Sequence, residues 1–171
     1  MEVRVFAGSV LEAPVEAIVN AANTELRHGG GLAAAIAAAA GPDFERASRQ
    51  AGFCPLDSAV ATAAGRLPFR CVLHVPTLDY RAGGRTATPA ELRDGVAAAL
   101  RLARERGCGS VAFPILGAGV AGLSPEEACR GIAEGLAAAG GGPDDGPRTV
   151  LVCAYRPAEQ RAAERVFPPA G

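Results

Sequence analysis

Lysine is absent from this chain: its 17 basic residues are all arginine, set against 18 acids for a formal net charge of −1. A protein so nearly neutral exerts no overall pull on nucleic acid or anionic lipid, so any anion it binds must be held locally. Tryptophan is also absent and aromatics make up only 5% of the residues, which leaves no basic patch interleaved with aromatics for RNA. Histidine occurs twice, at His28 and His74, and Cys54, Cys71, Cys108, Cys129 and Cys153 are scattered, odd in number and without a C-x-x-C pair. That distribution lacks both metal-ligand spacing and a disulfide framework, and it reads as reduced, mostly buried thiols. No metal and no cofactor are expected. No apolar run approaches the roughly 18 to 20 residues of a membrane helix, and no charged leader followed by an apolar segment opens the sequence. The expectation is a protein of the cytoplasm with no membrane partner. Its 171 residues suit one domain, since compact units close at roughly 100 to 200 residues.

What is present is an alternation of strands and helices. Val3, Val5 and Ala7 alternate with Arg4 and Phe6 in a first strand ending at Gly8, and Ala17-Ile18-Val19 forms a short buried strand that stops at Asn20-Ala21-Ala22-Asn23. Gly29-Gly30-Gly31 then runs into an alanine-rich helix over 32–40 that ends at Gly41-Pro42, followed by a helix over 43–51. Strands are expected over 59–64 and 71–75, around a turn at 65–68. Thr88-Pro89-Ala90-Glu91 is a capping box opening an amphipathic helix to about Arg106, and Ser124-Pro125-Glu126-Glu127 repeats it before a helix to about Ala139. A strand over 110–115 lies between them. A Gly/Pro/Asp-rich connection, 140–147, leads to a last strand over 149–155 and a helix from Pro157 to about Val166. Such alternation predicts an α/β fold whose largely parallel sheet is covered by helices on both faces, with ligands at the carboxyl ends of its strands.

Gly117, Gly119 and Gly122 have the G-x-G-x-x-G spacing of a dinucleotide loop. That fingerprint belongs after the first strand of its unit, with an acid about 20 residues on to hold a ribose. Here it comes late, and the downstream acids Asp144 and Asp145 stand in the Gly/Pro connection instead of at a strand end. The physical use of glycine survives: without Cβ, backbone N–H groups approach an anion closely, and a following helix N-terminus adds partial positive charge. Two such loops, 29–31 and 117–122, suit the two ends of one diphosphate.

Residues Ala17 to Asn23 (AIVNAAN), Gly29 to Leu32 (GGGL) and Ala112 to Gly122 (AFPILGAGVAG) together resemble the macro domain family over nearly the whole chain. The resemblance implies a three-layer α/β/α sandwich with a mixed, largely parallel sheet that binds ADP-ribose or a mono-ADP-ribosylated protein. It implies that Asn23 bonds the distal ribose, with Asn20 its structural neighbour, and that Asn23 carries any catalysis. It places Gly29, Gly30, Gly31 and Leu32 beside the distal ribose and diphosphate. It further implies that Leu116, Gly117, Ala118, Gly119, Val120 and Ala121 form the loop around the diphosphate, that Tyr155 stacks on adenine, and that Ser9 and Val10 lie at the adenine end. Three positions depart from the family pattern. Ser9 replaces an aspartate that accepts from the adenine amino group, Ala121 replaces an aromatic, and Ala33 stands where hydrolytic members carry an acidic general base. Glu25 and His28 are the candidates left to take a proton. The favoured expectation is binding with slow mono-ADP-ribosyl hydrolysis, and the alternative is a hydrolase or phosphatase that uses the bound diphosphate to orient water.

Overall fold

The computed structural model describes residues 1–142 and 145–169. Asp144 lies outside the described residues. The order is β1 (Glu2–Ala7), a 3-10 turn (Val10–Glu12), β2 (Ala17–Asn23), α1 (Gly31–Ala40), α2 (Pro42–Ala51), β3 (Val60–Thr62) and β4 (Cys71–Asp79). A second 3-10 turn (Arg81–Gly83), β5 (Arg85–Thr86), α3 (Pro89–Glu105), β6 (Ser110–Pro114), α4 (Pro125–Ala138), β7 (Thr149–Ala154) and α5 (Pro157–Val166) complete it. All seven strands form one sheet in the order β1-β7-β6-β2-β4-β3, with β5 also paired to β4. From β1 across to β4 every neighbouring pair is parallel, and β3 and β5 run antiparallel to β4.

Alternation along the strands divides the core into two layers. On β6, Val111 and Phe113 join Leu92 and Val96 of α3, Ile132 of α4 and Ala163 of α5, while Ala112 on the opposite face packs with Ile36 of α1 and Phe44 of α2. The result is the expected α/β/α sandwich. Both capping boxes form reciprocally, Thr88 with Glu91 and Ser124 with Glu127. Helices α3 and α4 approach closely where α4 has no Cβ: Leu92 fills the space over Gly131, and Val96 the space over Gly135. Among the described residues no helix is long and apolar enough to cross a membrane.

Two strands outrun their expected ends. β2 continues through Asn20 to Asn23 because His74 to Leu78 of β4 pairs with it, so the polar "NAAN" segment is strand and not loop. β4 continues past Val75 through Pro76 to Asp79, with a register shift beyond the Ala22/Pro76 pair. A proline has no N–H for the ladder, and an irregularity beside it is where a strand accommodates one. The extension carries Asn23 and Asp79 to the carboxyl edge of the sheet.

Candidate functional site

That edge is hollow. A cleft of about 850 Å³ is lined by residues following β1 (Gly8, Ser9, Val10), β6 (Ile115, Gly117, Gly119, Val120, Ala121) and β7 (Tyr155), by the ends of β2 and β4 (Asn23, Leu78), and by the start of α1. Open α/β sheets place their ligands at this edge.

The first loop is built from Asn23 outward. The Asn23 side chain closes a turn on Arg27, its Oδ1 accepting from the Arg27 N–H at 3.1 Å and its Nδ2 donating to the Arg27 carbonyl at 2.6 Å. Leu26, inside this turn, has φ +54 and is the one non-glycine residue with positive φ among the described residues. One N–H and one lone pair of the Asn23 amide remain for a ligand. Gly29, Gly30 and Gly31 follow, all lining the cleft, and a Cβ built on any of them meets nothing within 4 Å. Gly31 opens α1 at φ +55, and no side chain caps this helix. The first-turn amides of α1 therefore face a wide space with their share of the helix dipole, the arrangement that binds anions.

The second loop divides its amides. Ala118, Gly122 and Leu123 donate inward, to the carbonyls of Ile115, Gly119 and Gly117 at 3.2, 3.1 and 2.9 Å. The N–H groups of Gly117, Gly119, Val120 and Ala121 have no such partner among the described residues. Gly117 needs its missing Cβ, for at φ +87 that atom would stand 2.8 Å from Leu123 Cδ1. Helix α4 does not extend this cradle as expected: Ser124 Oγ already accepts from the Glu127 N–H, and α4 does not line the cleft.

At the far end Ser9 caps the 3-10 turn, its Oγ accepting from the Leu11 N–H at 3.2 Å while its own N–H donates to Glu12 at 3.0 Å. Among the described residues the Ser9 hydroxyl proton has no acceptor. Tyr155 is 74% exposed at the rim, where its N–H and that of Arg156 donate to the Glu159 carboxylate at 3.0 and 2.9 Å.

Of the residues expected at the site, Ser9, Val10, Asn23, Gly29, Gly30, Gly31, Leu32, Gly117, Gly119, Val120, Ala121 and Tyr155 line this one cleft. Three do not. Asn20 is fully buried between two histidines, Leu116 is a fully buried core residue, and Ala118 turns its amide into the loop. His28, a candidate base, is also removed from the cleft: its Nε2 bonds Ser48 Oγ at 2.9 Å and its Nδ1 faces Asn20. Glu25 does line the cleft, its carboxylate 3.6 Å from Arg27.

The sequence reading missed Tyr80, Arg27 and Cys153 in the lining. Cys153 was legible, since it stands two residues before Tyr155 and shares its face of the strand. Burial pushes its thiol up to about 12, which keeps it protonated. Tyr80 follows an extension of β4 that no local signal marks. Beside it Asp79 accepts from the Thr24 hydroxyl at 3.1 Å and from Arg81 Nε at 3.0 Å, and the Arg81 guanidinium holds its carboxyl well below the usual range. Among the described residues no three His, Cys, Asp or Glu side chains gather to hold a metal.

The family model described as "Macro domain" matches residues 19–132. A Mycobacterium tuberculosis protein is 42% identical over 130 residues, 76% of this chain and 35% of its own length, so the chain spans about a third of the relatives it first matches. The O-acetyl-ADP-ribose deacetylase of Escherichia fergusonii is 39% identical over 135 residues, 77% of this chain and 75% of that protein. Among solved structures, the Trypanosoma brucei macrodomain in complex with ADP superimposes with a TM-score of 0.82 at 28% identity, covering 96% of this chain and 68% of the other. The Oceanobacillus iheyensis macrodomain with ADP has a TM-score of 0.81 at 22% identity, over 96% and 88% of the two chains, a likeness of fold alone.

Proposed function

The chain belongs to the macro domain family, and from that premise we propose that residues 1–171 form one ADP-ribose-binding domain. Its ligand is ADP-ribose or a mono-ADP-ribosyl group on a protein. The observation that carries this reading is the pairing of two glycine loops, each with unpartnered amides, across a single cleft. Neutral N–H groups fixed in advance hold a diphosphate without a net positive charge on the chain. In this reading Gly29 to Leu32 and Gly117 to Ala121 grip the diphosphate, Asn23 meets the distal ribose, and Tyr155, Ser9 and Val10 receive the adenosine. Five buried free thiols support a reducing compartment such as the cytoplasm.

Hydrolysis is the second reading, supported by the deacetylase relative. Ala33 supplies no base, and His28 has both ring nitrogens engaged, so Glu25 is the acid left at the Asn23 end of the cleft. In this reading the chemistry is slow, with the diphosphate orienting water. Calorimetry with ADP-ribose tests binding: saturable heat supports it, and no heat refutes it. Release of ADP-ribose from a mono-ADP-ribosylated protein, abolished in Asn23→Ala, supports the hydrolase; binding without release supports the reader.

A further inference from the structure

Both histidines of the chain lie behind the first glycine loop, in a polar cluster to which the binding reading gives no role. Asn20 Nδ2 stands 3.1 Å from His74 Nδ1 and 3.4 Å from His28 Nδ1. His28 Nε2 meets Ser48 Oγ of α2 at 2.9 Å, Ser48 Oγ donates to the Phe44 carbonyl at 3.0 Å, and His74 Nε2 meets Thr62 Oγ1 of β3 at 2.8 Å. The rings of His28, Phe44 and His74 stack with centroids 5.1 to 5.5 Å apart.

One assignment of protons satisfies every contact of this cluster but one. With the Ser48 hydroxyl directed at the Phe44 carbonyl, Ser48 Oγ accepts from His28 Nε2–H. A neutral His28 then has a bare Nδ1, to which Asn20 donates. The second Asn20 N–H goes to His74 Nδ1, and His74 Nε2–H donates to Thr62. Asn20 Oδ1 is left buried without a partner among the described residues. Reversing the amide would offer an oxygen to both Nδ1 atoms and bury two unpaired N–H groups, so the orphaned oxygen is the consequence of an amide whose two protons hold two rings.

We infer that Asn20 and Ser48, acting through the His28 ring, are the positioning residues that set the first glycine loop. The segment from Asn23 to Gly31 is pinned twice from within, at the Arg27 backbone by Asn23 and at the His28 ring by Asn20 and Ser48. Beyond His28 come three glycines with nothing near their Cβ positions and a helix start with no cap. Glycine has the greatest backbone freedom to lose, so the residue immediately before the three decides how much of that freedom remains. The groups facing His28 are Asn20 and His74 from the sheet and Ser48 and Glu45 from α2. Burial lowers the His28 pKa against the opposing pull of Glu45, which keeps Nδ1 free to accept.

The inference rests on the binding reading only for its consequence, because order in the loop is measurable without ligand. Backbone amide NMR relaxation of the ligand-free protein, wild type against His28→Ala and the milder Ser48→Ala, is the test. The expected result is increased motion confined to residues 28–33, with Gly117 to Ala121 unchanged, and partial recovery in His28→Gln, whose amide N–H stands in for the ring Nε2–H toward Ser48. Gly29 to Gly31 signals as ordered in both alanine variants as in wild type would overturn it. Affinity for ADP-ribose is expected to fall about tenfold in His28→Ala, equivalent to one hydrogen-bond-sized loss, and to recover partly in His28→Gln. If the wild type itself bound no ADP-ribose the binding reading would fail, while the relaxation data would still decide the anchor.

Discussion

Asn23 has two tasks at once, closing the Arg27 turn with one half of its amide and presenting the other half to the cleft. Replacing it with alanine removes both, and we expect ADP-ribose affinity to drop about 10- to 100-fold, the loss that follows when a polar partner is deleted; calorimetry checks it. His74 offers a prediction in pH. Its burial, reinforced by nearby His28, lowers its pKa from 6.5 to about 3, so the folded chain keeps it neutral. The stability this reflects is complete above pH 6.5 and declines as the pH falls from there toward about 3. Glu91, lowered to about 2 by Arg85 and the Thr88 amide, adds its own loss only below about 4.5. Melting temperature should therefore fall already between pH 6.5 and 4.5, and His74→Gln should flatten that part of the curve. At this scale the residue types of the site were legible and their directions were not. Asn20 and Asn23 look alike in the sequence, yet three residues apart on a strand they face opposite sides of the sheet, and only Asn23 reaches the cleft.

At the scale of elements, the capping boxes of α3 and α4 were written locally and formed as written, because Ser or Thr with a Glu three residues on needs no distant partner. The lengths of β2 and β4 were not local. Each is extended by the other, through pairing that a polar segment and a proline conceal in the sequence. The same reasoning separates two glycine substitutions. A Cβ at Gly135 would stand 2.7 Å from the Arg93 carbonyl and collide with Val96, so Gly135→Ala should destabilise the fold by about 1–3 kcal/mol and lower the melting temperature by several degrees. Gly117→Ala, buried but meeting only the end of the Leu123 side chain and no backbone atom, sits in the second loop itself and should weaken ADP-ribose binding more than it lowers the melting temperature. Thermal melts beside calorimetry distinguish the two.

For the whole molecule, strand-helix alternation announced the layers but not the order of the sheet, which joins the ends of the chain by pairing Glu2 to Ala7 with Thr149 to Ala154. No local pattern encodes a partner so far away. That order brings the ends of five parallel strands to one edge, where two loops far apart in sequence share a cleft. A formal charge of −1 gives no overall field toward an anion, so in the proposed binding mode the attraction is local, from the loop amides and the lining residues Arg27 and Arg156. Affinity for ADP-ribose should accordingly change less than about tenfold between about 0.05 and about 0.5 M salt, where a surface of exposed cations would lose far more. The central claim is that both loops act on one ligand, and a backbone amide NMR titration with ADP-ribose reads it directly. Gly29 to Leu32 and Gly117 to Ala121 should shift together and saturate at one concentration, leaving the capped first turn of α4 unmoved. Shifts confined to one loop, or saturating separately in the two, would contradict it.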